Sequence, residues 1–222
     1  MRDATRLDDA HLSYLIAPLE RTNGDILLAA PRPDGGQHVL LGDFTGHGLP
    51  AAIGGPMVGY IFATLTAAGG GMAEILRELN RVLARQLPVN LYMAACAFEI
   101  DAGRREVTVW NLGVPDALLL RAGEVAARFP SGGLPLGIVE AIDPTEGGVR
   151  QTLEGGDRLY AYSDGVTEAN DPAGEMFGTG RLERFLTEHP VGGAVELLRQ
   201  RLDDYTGGTA QGDDITLVEV TI

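Results

Sequence analysis

A single cysteine, Cys96, excludes an intrachain disulfide, so no covalent staple supports the fold and a hydrophobic core must. Cys96 lies in the alternating run Met93-Ala94-Ala95-Cys96-Ala97-Phe98-Glu99-Ile100 with no cationic neighbour to activate it, and it reads as a packing residue. Positive charge is also scarce: 17 Lys and Arg stand against 31 Asp and Glu, a formal net charge of −14 without a basic cluster. Phosphate backbones need cationic neutralisation, so no nucleic acid is expected as a partner. No apolar run approaches a bilayer span and the first residues carry no signal-peptide core, so no membrane contact and a cytoplasmic location are expected. The chain also lacks G-x-x-x-x-G-K-[ST], G-x-S-x-G and the EF-hand loop, which removes the usual supports for a phosphate-loop ATPase, a serine hydrolase or a calcium switch. His11, His38 and His189 show no ligand spacing and read as surface or strand residues.

What is present is ordinary for a globular chain: 222 residues, 45% hydrophobic and 22% charged, enough for one domain with a substantial core. An imperfect helical stripe through Leu7, Ala10, Leu12, Leu15 and Ile16 predicts a short helix or linker, so residues 1–16 are set apart as a linker or N-terminal helix stub and 17–222 as the domain. Strands are predicted at 25–31 and 37–43, joined by the turn Pro33-Asp34-Gly35-Gly36. A helix over 51–67, entered at Pro50 and ended by Gly69-Gly70-Gly71, is almost wholly apolar or small and is expected to be buried. The helix over 72–87 is amphipathic and should cover a sheet face. Strands at 93–100, 106–111, 117–120, 125–128 and 158–163 follow in hairpin succession, then helices at 181–188 and 191–205 and a last strand at 215–222. This order suggests an α+β fold, a β-sandwich with helices outside.

Four acids stand at strand ends. Asp43 closes an apolar strand in Leu40-Leu41-Gly42-Asp43-Phe44-Thr45-Gly46-His47-Gly48, and Asp164 does so in Leu159-Tyr160-Ala161-Tyr162-Ser163-Asp164-Gly165; Asp25 and Asp213 stand at the starts of apolar runs. If the strand from Asp25 pairs antiparallel with the one ending at Asp43, and the strand ending at Asp164 with the one from Asp213, each sheet carries two acids at one end, and stacking the sheets gathers all four. Carboxylates so close raise one another's pKa unless a cation intervenes, and an all-oxygen set favours Mg²⁺ or Mn²⁺ over Zn²⁺. His47 follows Gly46 at a helix entrance, where it is placed to donate to a substrate oxygen or to act as a general acid.

Gly24-Asp25, Gly42-Asp43-Phe44-Thr45-Gly46-His47-Gly48, Leu134-Pro135-Leu136-Gly137, Ser163-Asp164-Gly165-Val166-Thr167-Glu168-Ala169 and Asp213-Asp214-Ile215-Thr216 together resemble, in order, the landmarks of bacterial PPM (PP2C-like) serine/threonine phosphatases, in the branch of stage II sporulation protein E and the stress-response phosphatases. The resemblance covers roughly 17–222. It implies an αββα sandwich of two mainly antiparallel β-sheets flanked by helices, with two Mn²⁺ or Mg²⁺ ions at one end. It casts Asp43 as the ligand bridging both ions, the Phe44 carbonyl as a backbone ligand of the first, Asp164 and Asp213 as ligands of the second, Asp25 as the acid acting near the first through water, and Asp214 as an outer residue. Many relatives carry a further Asp where this chain has Leu28, and that departure puts one contact to the first ion in question. The implied reaction is hydrolysis of phosphoserine or phosphothreonine by metal-activated water, without a covalent intermediate. The implied partners are a phosphorylated STAS-domain anti-sigma-factor antagonist as substrate and an N-terminal sensory or response-regulator domain, with homodimerisation left open. Two rival readings stand beside it: a degenerate phosphoprotein-binding module, suggested by Leu28, and a metal-dependent nuclease, which the net charge disfavours.

Overall fold

The computed structural model describes residues 10–19, 23–45, 49–88, 90–140, 147–189 and 193–222, with the side chains of 49–53 left aside. In chain order the elements are β1 (Leu12–Ala17), β2 (Asp25–Pro31), β3 (Gln37–Phe44), α1 (Leu49–Ala67), α2 (Met72–Gln86), β4 (Met93–Ile100), β5 (Glu106–Leu112), β6 (Ala117–Arg121), β7 (Glu124–Phe129) and β8 (Val149–Thr152). They continue through β9 (Arg158–Tyr162), α3 (Asp164–Glu168), α4 (Gly178–Glu188), α5 (Ala194–Thr206) and β10 (Ile215–Thr221). The strands form two five-stranded antiparallel sheets, ordered β1-β10-β9-β6-β7 and β2-β3-β4-β5-β8.

Period-two alternation distributes the apolar side chains over three layers. On β3, Val39 and Leu41 enter the core between the sheets, where Cys96, Phe98, Leu159 and Val218 also lie. Leu40 and Phe44 on the same strand turn outward, into the cluster that α1 and α2 build with Phe62, Ile75 and Leu79. The outer face of the other sheet, with Leu118, Tyr160 and Leu217, is covered by Leu182, Leu186 and Leu198 of α4 and α5. The result is the αββα sandwich read from the sequence. Cys96 is buried, and burial alone pushes its thiol pKa up, in keeping with a packing role.

One expectation is corrected. Residues 12–16 of the expected helix or linker stub belong, with Ala17, to the edge strand β1, paired with β10 along its whole length from Leu12↔Val220 to Ala17↔Ile215. Leu12, Tyr14 and Ile16 pack on the inter-sheet core while Leu15 and Ala17 join the outer one, so both faces are apolar and the alternation that marks a strand is erased from the sequence. Residues 7–9 of that expected stub lie outside the described residues. Helix α1 is buried against its neighbours, as expected, through the stripe Gly54, Val58, Phe62 and Thr66, whereas on its outer side Pro56, Ala63, Thr64 and Ala67 are exposed and Tyr60 is 73% exposed. Most of the outward residues are small, so an apolar composition there exposes little surface.

Candidate active site

Register places the acids. Asp25 at the start of β2 stands directly across from Asp43 near the end of β3, and both fall on the inter-sheet parity shared with Leu27 and Leu41. On the other sheet Leu217 of β10 pairs with Tyr162 of β9, which brings Asp164, two residues past Tyr162, beside Asp213, which precedes β10. The backbone confirms that closure: Ser163 N–H donates to the Thr216 carbonyl at 2.9 Å, and Thr216 N–H donates to Ser163 Oγ at 2.9 Å. Gly165 makes the approach feasible, because a Cβ there would lie 2.0 Å from the Asp214 carbonyl oxygen.

Asp43, Asp164 and Asp213 line one cavity of about 340 Å³, together with Phe44, Thr45 and Tyr92. Asp25 lies below them, 7% exposed. Thr45 fixes one wall: its N–H donates to the Tyr92 carbonyl at 3.0 Å and its Oγ1 accepts from the Tyr92 N–H at 3.0 Å. The second wall is the close pair Gly113 and Pro135; Gly113 has φ +106, and a Cβ on it would stand 2.6 Å from Pro135 Cγ. Phe44 offers this space only its main chain, since its ring is buried among the helix-side residues and closes so tightly on Gly54 that a Cβ there would meet it at 2.5 Å. Asp214 serves a different purpose: its carboxylate accepts the N–H groups of Leu19, at 2.6 Å, and Gly24, tying the approach to β2 onto the start of β10.

Burial and mutual proximity both disfavour the ionised form of these acids. Burial, reinforced by the charges of Asp25, Asp164, Asp213 and Asp214, raises the Asp43 pKa to about 8. Burial raises Asp25 to about 7, against the pull of the nearby Thr216 and Ser163 hydroxyls and with the push of Asp214 and Asp213. Asp164 is raised by burial and by Asp213, and Glu168 by burial and by both Asp164 and Asp213. Among the described residues Asp25 Oδ2 and Thr216 Oγ1 complete no well-aligned hydrogen bond, although the Thr216 hydroxyl lies near enough to Asp25 to favour its ionised form. Among the described residues no three His, Cys, Asp or Glu side chains lie close enough together to hold a metal ion as they stand. An all-oxygen donor set, mutual repulsion and an orphaned carboxylate oxygen nonetheless fit hard divalent cations.

Asp43, Asp164, Asp213 and the Phe44 main chain thus stand around one cavity, and buried Asp25 stands across from Asp43 in the ladder. Leu28 lies on the helix-facing parity of β2 and packs toward Gly59 of α1. His47 lies outside the described residues. His38 is a strand residue but wholly buried, with Nδ1 3.0 Å from Thr66 Oγ1 and Nε2 3.1 Å from Glu99 Oε2. Sequence reasoning did not find Ser163 and Thr216 as neighbours of Asp25, nor Tyr92 as a wall; their proximity arises across the sheets and leaves no local signal.

Two packed antiparallel sheets, a helical layer on each outer face and carboxylates gathered where the strand ends meet define a PP2C-like α+β domain. Residues 33–222 match the family Stage II sporulation protein E (SpoIIE), and the chain belongs to it. It is 25% identical over 167 residues to phosphoserine phosphatase RsbU of Bacillus subtilis (strain 168), a match covering 75% of this chain and 49% of RsbU. The chain therefore spans about half of that relative's length. Among solved structures, the SiaA-PP2C domain of Pseudomonas aeruginosa superposes with a TM-score of 0.82 at 23% identity, over 96% of this chain and 86% of that one. RsbX in complex with magnesium superposes with a TM-score of 0.66 at 17% identity, over 96% of both chains. No helix among the described residues is long and apolar enough to cross a membrane.

Proposed function

We propose that this chain is a cation-dependent protein serine/threonine phosphatase domain. The observation that carries the reading is that Asp43 from one sheet and Asp164 and Asp213 from the other line one cavity, with Asp25 paired to Asp43 and Asp43 raised to about 8 by burial and by its acidic neighbours. The similarity to a phosphoserine phosphatase and the magnesium in the related RsbX fold support it.

By the family resemblance Asp43 would serve both cations, Asp164 and Asp213 would hold one of them and the Phe44 carbonyl the other, and Asp25 would act near that other ion. When bound, two Mg²⁺ or Mn²⁺ ions supply charge neutralisation for the phosphoryl oxygens and activate water for in-line attack. The chain's own part is to fix the carboxylates on rigid strand ends, to keep Asp25 off solvent, and to wall the cavity with Tyr92 and Pro135 so that a phosphorylated side chain enters in one direction. Leu28 suggested a binding module without turnover; it packs on the helix side, and the turnover assay below separates that reading from the phosphatase.

The substrate class we assign is a phosphoserine or phosphothreonine protein in a bacterial signalling pathway, a phosphorylated STAS-domain anti-sigma-factor antagonist, in the cytoplasm. Regulation by a sensory or response-regulator domain accords with a relative twice as long as the match. The test is turnover of p-nitrophenyl phosphate and of a phosphoserine peptide in EDTA, then with Mn²⁺, Mg²⁺ or Zn²⁺ added. EDTA should abolish both activities, and Mn²⁺ or Mg²⁺ should restore them better than Zn²⁺. Full turnover in metal-free buffer refutes the cation dependence.

A further inference from the structure

A groove of about 410 Å³ neighbours the catalytic cavity, lined by the apolar Ala84, Leu87, Pro88, Leu91 and Ile138 together with Tyr92, Gly137 and the polar Asn90. Two segments border both spaces. Tyr92 lines both, and the loop that puts Pro135 into the cavity puts Gly137 and Ile138 into the groove. Among the described residues no charged side chain lines the groove, although the chain carries a net charge of −14 and three carboxylates line the neighbouring cavity. Beside it the loop displays Leu134 at 52% exposure, Ile138 at 46% and Val139 at 37%.

This display is held in place. Leu136 and Met93 exchange backbone hydrogen bonds at 2.8 and 2.9 Å. Asn80 of α2, 1% exposed, accepts from the Gly137 N–H at 2.9 Å and donates to the Val139 and Glu140 carbonyls at 2.9 and 3.3 Å. Gly137 has φ +97, and a Cβ on it would stand 3.3 Å from Leu83 Cβ, so the loop lies flat on the helix. A buried amide that uses both its ends to fix a loop, while the loop exposes three branched apolar side chains to water, keeps a preformed apolar surface at a cost in solvation.

We infer that this groove is a substrate-docking subsite that takes an apolar side chain of the phosphoprotein, on the same chain as the phosphorylated residue bound at the acids. The inference rests on the phosphatase reading and extends it to substrate choice. Binding energy collected in the groove, remote from phosphorus, orients the phosphoryl group and makes a peptide a better substrate than a small aryl phosphate.

The test is a set of fluorescein-labelled phosphoserine peptides in an Ala/Ser background, each with one Leu moved stepwise along the sequence on either side of the phosphoserine. Affinity is measured by fluorescence anisotropy on the full chain carrying Asp43→Asn, and kcat/KM on the wild type with Mn²⁺. One or two leucine positions should improve affinity and kcat/KM about 10-fold. Ile138→Asp, at an exposed position, should remove that preference and lower the ratio of peptide to p-nitrophenyl phosphate kcat/KM by a similar factor, while Ile138→Leu should retain it. Turnover of p-nitrophenyl phosphate with no leucine preference at any position overturns the subsite and leaves the phosphatase reading standing. Leucine-dependent binding without turnover of any substrate supports the subsite and overturns the phosphatase reading. Loss of a dimer on Ile138→Asp in analytical ultracentrifugation, with the ratio unchanged, gives the groove to a second copy and overturns the inference.

Discussion

At Asp43 a strand's alternation becomes chemistry. The parity that sends Leu41 into the inter-sheet core sends Asp43 to its open end, opposite Asp25 and within the fields of Asp164 and Asp213. Asp43→Asn keeps the shape and removes the charge, so it should cut phosphatase turnover by at least about 100-fold. The same change should raise the melting temperature of the metal-free protein at neutral pH, because it relieves repulsion that the folded state alone suffers. Parallel kinetics with Mn²⁺ and thermal melts in EDTA check both halves; a variant retaining most of its activity, or one melting lower in EDTA, contradicts the central role of Asp43. The four acids were legible in the sequence because each sits where an apolar run starts or stops. Asp214 was visible as an outer residue, but its acceptance of the Leu19 and Gly24 N–H groups was not, since those partners lie about 190 positions away along the chain.

Among elements, α3 shows how a short turn holds two strand ends of one sheet together at the site. It starts at Asp164, and Gly165 lets it press against the Asp213–Asp214 peptide so closely that a Cβ would fall 2.0 Å from a carbonyl oxygen. Gly165→Ala should force α3 away from β10, separate Asp164 from Asp213, and lower the apparent affinity for Mn²⁺ at least about 10-fold along with the melting temperature. Titrating activity against Mn²⁺ tests this, and an unchanged midpoint would show that the acids tolerate the displacement. The central hairpins were readable because turns such as Pro33-Asp34-Gly35-Gly36 punctuate them, and α2 because its face alternates charged and apolar residues. Strand β1 was not, because burial on both faces leaves no period of two, and it gains its identity only by pairing with β10 at the far end of the chain. β8 was missed for the opposite reason: three of its four residues, Val149, Arg150 and Thr152, are exposed, so no inward face was written into it.

The whole molecule concentrates its acidity, and its pH response follows from where that acidity sits. In the metal-free protein Asp25 and Asp43 have pKa values near 7 and 8, above the ordinary value of 3.8 for the unfolded chain. Between pH 4 and 8 the folded state therefore holds protons that the unfolded state has released, and stability must fall as pH rises through this window. Glu99 pulls the other way. Its bond to His38, the Met72 N–H at the start of α2 and Arg32 lower its pKa to about 2, so its contribution is complete above about 4.5 and is lost as pH falls toward 2. The two effects place the stability maximum of the metal-free protein near pH 4–5, on the acid side of neutrality, despite a fold that works with ionised carboxylates. Divalent cations should reverse the upper limb, because they bind the ionised acids of the folded state alone and stabilise it in proportion to their occupancy. Melting temperatures in EDTA should thus fall by about 5 °C or more between pH 5 and 8, and in excess Mn²⁺ should stay level or rise across the same range. A melting temperature that climbs from pH 5 to 8 in EDTA would mean that the four acids do not repel one another in the folded chain, and the cation-dependent centre built on that repulsion would have to be abandoned.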